Sequence, residues 1–140
     1  EMCIRDSTAV VALKRGELEH FRQMLVSFLS SIPYTMRRKD NEREKERYFH
    51  YTFYLLLRLM STYLVCTEKA QSQGRVDCII ETKQHIYIFE FKLDGSASEA
   101  LKQIEEKGYA REFACDQRQI HKIGCSFSSA SGTIEEWQVE

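Results

Sequence analysis

The sequence predicts an α/β sandwich, a mixed central sheet flanked by helices, with an extra helix towards the N-terminus. Three observations lead there. Apolar residues recur at helical spacing through the first part of the chain. From Tyr63 onward the pattern changes to short runs rich in β-branched and aromatic residues, separated by Gly74, Lys83-Gln84 and Asp94-Gly95. One further helical stripe interrupts those runs, so the order reads α, α, β, β, β, α, β, β.

Leu18, Phe21, Leu25, Phe28, Leu29 and Ile32 share one face of a helix over residues 17–32. Pro33, the only proline, ends it, because the residue before a proline is pushed out of the α region. A mixed charge run from Arg37 to Arg47 follows, in which Asp40 or Asn41 caps a second helix running to about Ser61. From Tyr48 to Met60 that helix is apolar nearly all round, so it is expected to be largely buried. Tyr63–Thr67, Arg75–Thr82 and His85–Leu93 read as three strands. Ser96 and Glu99 have capping-box spacing, in which the hydroxyl accepts from an orphan backbone N–H. Ala97, Ala100, Leu101 and Ile104 are the buried stripe of that helix, and Gly108 suits a left-handed C-terminal cap. Ile120–Phe127 is a fourth strand and Thr133–Val139 an edge strand. Residues 1–7 match no period and are read as a non-native or disordered leader on a piece of a longer protein.

Composition sets the outer limits. A chain of 140 residues is one domain, enough to bury roughly two-thirds of its unfolded surface. With 20 Lys plus Arg against 21 Asp plus Glu, the net charge of −1 argues against a generic polyanion binder and still permits a local basic groove. No apolar run approaches the roughly 18 residues of a membrane span, and no basic-then-apolar leader marks a signal peptide. The five cysteines (Cys3, Cys66, Cys78, Cys115 and Cys125) are an odd set without a C-x-x-C pair, which fits neither a zinc site nor a secreted disulfide framework. Reduced thiols in a cytoplasmic protein are the expectation.

The informative stretch is Gly74 to Leu93. Paired as a hairpin with Lys83 and Gln84 at its tip, it puts Asp77 across from Glu90, Ile79 across from Ile88 and Arg75 across from Lys92. Directly opposed residues share a face, and Lys92, two beyond Glu90, projects from that face too. A three-residue loop would slip the register by one and separate the carboxylates. Both faces of the hairpin are otherwise apolar, as in a sheet covered on both sides. Like charges opposed in a covered sheet need a cation; Lys92 is one and a divalent metal another. Two carboxylates and a backbone carbonyl make a hard-oxygen partial shell of the kind Mg²⁺ takes. A plain buried salt-bridge cluster is the structural alternative, although such clusters are costly.

The spacing Asp, twelve residues, Glu, one residue, Lys resembles the PD-(D/E)XK nuclease superfamily, with Val76 where the motif has Pro. The resemblance implies an αβββαβ, restriction-endonuclease-like fold. It implies Mg²⁺ or Mn²⁺ held by Asp77, Glu90 and the Phe91 carbonyl, with Lys92 at the attacking water or scissile phosphate. It also implies an acid from the preceding helix, with Glu46 the best match and Glu68 its rival. His50 lies one helical turn after Glu46. Gln103 is similar to the Gln of the Gln-and-Tyr helix of RecB-like nucleases, and Tyr109 falls later than that motif's Tyr. Taken singly, each has a plainer reading: Glu46 as a solvated helix face, His50 and Tyr109 as packing residues, Gln103 as a half-exposed amide.

Residues 42–140 thus resemble the C-terminal nuclease-like domain of bacterial proteins that carry an AAA-ATPase-like N-terminal domain, with residues 8–41 as an N-terminal helix and linker. The implied function is metal-dependent hydrolysis of DNA phosphodiesters. The alternative is a catalytically silent binding or regulatory module of the same fold, serving the ATPase-like partner.

Overall fold

A computed structural model describes residues 9–31, 42–72 and 75–140, and its sheet is organised around the turn at Lys83-Gln84. Thr82 builds that turn. Its backbone N–H donates to the His85 carbonyl at 2.8 Å, and its Oγ1 accepts from the Gln84 and His85 N–H groups at 3.3 and 2.9 Å. The side chain replaces the turn chemistry that Lys-Gln lacks. The strands on either side, Arg75–Glu81 and His85–Leu93, pair antiparallel with Asp77 opposite Glu90 and Arg75 opposite Lys92.

In chain order the elements are α1 (Leu18–Ser30), α2 (Glu42–Met60), β1 (Val65–Ser72), β2 (Arg75–Glu81), β3 (His85–Leu93), α3 (Ala97–Lys107), a 3₁₀ turn (Tyr109–Phe113), β4 (Gln119–Phe127) and β5 (Ile134–Val139). The five strands form one sheet in that same order. Only β3 and β4 are parallel, joined by the α3 crossover, so the sheet is mixed. The architecture is the helix-flanked α/β sandwich expected.

Strand alternation sorts the side chains onto two faces. Val76, Cys78, Ile80, Tyr87, Phe89, Phe91, Ile123, Cys125 and Phe127 join the core with α1 and α2. Phe53 of α2 stacks on Phe91 with ring centroids 4.4 Å apart, and Phe49 meets Phe127 at 5.6 Å. Burial pushes the Cys78 and Cys125 thiols up, so both stay protonated as small core residues. Ile79, Ile86 and Ile88 face the other way, against Ile104 of α3 and Phe113.

Several boundaries differ from the sequence expectation. Residues 9–14 are helical and bury Val10, Ala12 and Leu13, and the Leu13 carbonyl accepts from the Tyr87 hydroxyl. The first β-strand begins at Val65 instead of Tyr63, because the backbone N–H groups from Ser61 to Leu64 still donate to carbonyls of α2. It continues to Ser72 through polar residues that carry no strand pattern, held by pairing with β2. Helix α2 is not buried all round. Phe49, Phe53, Leu56, Leu57 and Met60 are buried, but Tyr51, Tyr54 and Leu55 are 62%, 47% and 40% exposed. A helix lying on one face of one sheet meets protein along one stripe only. Pro33, Asp40 and Asn41 and the leader at 1–7 lie outside the described residues. No helix among the described residues is long and apolar enough to cross a membrane.

The placement of α3 depends on small residues. Ser96 caps it, its Oγ accepting from the Glu99 N–H at 3.2 Å, while Glu136 of β5 accepts from the Ala97 N–H at 3.0 Å. Gly108 closes it at φ 64°. Beneath it, Gly124 of β4 sits beside Glu90 in the sheet, and a Cβ there would lie 2.4 Å from the Ala97 carbonyl oxygen and 2.8 Å from the Leu101 nitrogen. Because both obstructing atoms are backbone, Gly124→Ala must lift α3 off the sheet. The expected cost is about 1–3 kcal/mol, read as a lowered urea midpoint with an unchanged slope.

Candidate active site

The α3-facing side of the β2–β3 hairpin carries the charged groups. Asp77 and Glu90 are directly opposed and both are fully buried. One step along the strands, Arg75 and Lys92 are likewise opposed. The Lys92 ammonium is 3.9 Å from Glu90 Oε2, and Arg75 Nε is 3.5 Å from Asp77 Oδ2.

The strongest contacts come from a residue the sequence reading passed over. Lys107, the last residue of α3, donates from Nζ to Asp77 Oδ2 at 2.7 Å and to Glu90 Oε1 at 3.0 Å. A sign was available: Lys107 stands one turn after Gln103 and Ile104, on the helix whose Ala97–Ala100–Ile104 stripe meets the sheet. Past the Gly108 turn, the Tyr109 hydroxyl donates to Asp77 Oδ2 at 3.0 Å. Tyr109 is therefore a site residue as well as a packing one.

The electrostatics follow from this packing. Burial, reinforced by the Asp77 charge and opposed by the Lys107 hydrogen bond, pushes the Glu90 carboxyl up to about 7. Burial and the Asp77 carboxylate push the Tyr109 phenol up to about 12, which keeps it a donor.

At this site three buried oxygens have no hydrogen-bond donor among the described residues: Asp77 Oδ1, Glu90 Oε2 and Gln103 Oε1. Orphaned buried acceptors are costly, and each calls for a water or a cation. The two carboxylate oxygens are hard donors and fit a divalent ion of the Mg²⁺ class. Among the described residues no group of three or more His, Cys, Asp or Glu side chains could hold a metal. An ion here would take two carboxylates and complete its shell with a carbonyl such as that of Phe91, an amide, or water, as Mg²⁺ commonly does.

Helix α2, which bears Glu46 and His50, packs on the Phe91 side of the sheet, opposite the acid pair. No hydrogen bond or ion pair joins Glu46 to Asp77 or Glu90 among the described residues. His50 packs its ring against Phe49 at 5.4 Å. Glu68 is exposed on β1, opposite Cys78 and next to an irregularity in the pairing. Gln103 is half-buried on α3, one turn before Lys107.

The raised Glu90 carboxyl predicts the sign of a pH effect. A carboxyl at about 7 in the folded state and 4.5 ordinarily binds more protons folded than unfolded across that interval. Its stabilising contribution is therefore complete below the lower value and lost as pH rises through the upper one. The melting temperature of the metal-free protein should fall from about pH 5 to about pH 8, and Glu90→Gln should flatten that fall.

A family model described as PD-(D/E)XK nuclease superfamily matches residues 44–137, more than half of the chain. A protein named "Uncharacterized protein in vnfD 5'region", from Azotobacter chroococcum mcd 1, is 32% identical over 130 residues, which is 91% of this chain and 25% of that protein. The chain thus spans about a quarter of the length of that relative. No solved structure matches it.

Proposed function

The chain belongs to the PD-(D/E)XK nuclease superfamily, and on that premise we propose that it hydrolyses DNA phosphodiesters with the help of Mg²⁺ or Mn²⁺. One observation carries the reading. The hairpin opposes two fully buried carboxylates, each keeping an oxygen without a donor, beside the Lys92 ammonium.

Asp77, Glu90 and the Phe91 carbonyl would hold the ion. When bound, it supplies Lewis-acid stabilisation of phosphoryl charge and acidifies water. Lys92 places a fixed positive charge at the edge of the acid pair, where a phosphate gains negative charge on attack. Arg75, directly across from Lys92, provides a second cation on the same face for the phosphodiester. Gln103 adds a buried amide oxygen on the helix over the site, suited to orient water. Glu46, the acid the resemblance implies on the helix before the strands, sits on α2 against the other face of the sheet and takes no part in this step.

A second reading is a non-cutting module of the same fold, attached to an AAA-ATPase-like domain. Two observations favour it. Lys107 bridges the acid pair without a metal, and the matched relative is about four times as long as the segment it shares with this chain.

Cleavage of single- and double-stranded DNA with Mg²⁺ or Mn²⁺ separates the two. The nuclease reading expects metal-dependent cutting that Lys92→Ala lowers by roughly 10²–10³-fold, the scale of losing one charge-stabilising group. Asp77→Asn should abolish it while the far-ultraviolet circular dichroism stays unchanged. Equal cutting by wild type and variants would assign the activity to another site or a contaminant. No cutting by a folded, metal-binding wild type would favour the binding module.

A further inference from the structure

We propose that Lys107 is the resident counter-ion of the acid pair and competes with the divalent cation for the two carboxylates. The inference rests on the metal-dependent reading above and adds a residue that controls metal entry. Lys107 Nζ takes one oxygen from each acid, at 2.7 and 3.0 Å, and so bridges the pair as a divalent cation would. The other oxygens, Asp77 Oδ1 and Glu90 Oε2, lack donors.

The charge count decides the rest. With both acids ionised, as metal binding requires, Arg75, Lys92 and Lys107 face Asp77 and Glu90 as three positive charges against two negative. A divalent ion added to this set raises the local charge to plus three, and close like charges repel strongly in a partly dry site. One ammonium must leave the carboxylates, and Lys107 is the one built to do so. Its side chain, partly exposed as those of Arg75 and Lys92 also are, stands at the very end of α3 on a flexible four-carbon stem next to the Gly108 turn. The Arg75 and Lys92 side chains rise from paired strands, and neither hydrogen-bonds to an acid. Lys107 is thus a positioning residue: it keeps two opposed carboxylates together without metal, and yields them when metal arrives.

Two measurements test this. Amine acetylation of the wild-type protein, read by mass spectrometry, should be slow at Lys107 without metal and several-fold faster at saturating Mn²⁺. Calorimetric titration should show Lys107→Gln binding Mn²⁺ on the order of tenfold more tightly than wild type, because a competing charge is gone. Tighter binding with faster labelling supports the proposal. Equal or weaker Mn²⁺ binding in Lys107→Gln, or labelling that saturating Mn²⁺ leaves unchanged, overturns it while the metal-dependent reading stands. Absence of Mn²⁺ binding in the wild type itself overturns that reading and this one together. The labelling arm uses only the wild-type chain, so the test does not depend on how well Lys107→Gln folds.

Discussion

Two carboxylates face one another across the central hairpin, inside a sheet that is covered on both sides, and much of the molecule is arranged around that opposition. Removing water from one charge is costly, and removing it from two like charges at adjacent strand positions is costlier. Asp77 and Glu90 are tolerated because Lys107, Lys92, Arg75 and Tyr109 surround them. The Lys107 ammonium reaches both only because α3 lies close to the sheet. That approach requires Gly124 beneath the helix and the small Ala97 and Ala100 on it. Thus Gly124 on β4, beside Glu90 in the sheet, shares in setting the charge balance of the acid pair.

The faces of the sheet divide the work. The α1–α2 face is an almost wholly apolar core in which Phe49, Phe53, Phe89, Phe91 and Phe127 are in ring contact. This face stabilises. The α3 face is apolar at the turn end, around Ile79, Ile86, Ile88 and Phe113, and charged at the other. It can therefore afford buried charge at that end. The two faces are tied together by β3, whose alternation sends Tyr87, Phe89 and Phe91 to one side and Ile88, Glu90 and Lys92 to the other.

This division bears on how the site would meet a phosphodiester. The acids lie under α3, while the side chains of Arg75 and Lys92 are only partly buried at the next step of the hairpin. Cations are thus the groups that an arriving anion would encounter first, and the acid pair lies behind them. A site with its acids outermost would repel a phosphate and attract free metal. In the proposed reading this order would shield a metal ion behind the cations that meet the phosphate, in keeping with metal entry controlled by a side chain already on the acids.

Much of this was written in local periods. The two-residue alternation and the turn at Lys83-Gln84 determined that Asp77, Glu90 and Lys92 share a face, since a hairpin register needs no knowledge of anything outside itself. The Ser96 cap and the Gly108 terminus were equally local, because both answer to the backbone groups a helix end leaves unpaired. Other features needed the whole fold. That Lys107 lands between the acids depends on how α3 crosses the sheet, and that crossing is set by Gly124 on a strand further along the chain. Tyr109 joins the site only because the chain turns back after Gly108. The exposure of Tyr51, Tyr54 and Leu55, the length of β1, and the side of the sheet on which Glu46 lies were decided by what packs against what. Composition shows that a residue is apolar or charged; only a neighbour from a distant part of the chain decides whether it is covered, and by which partner.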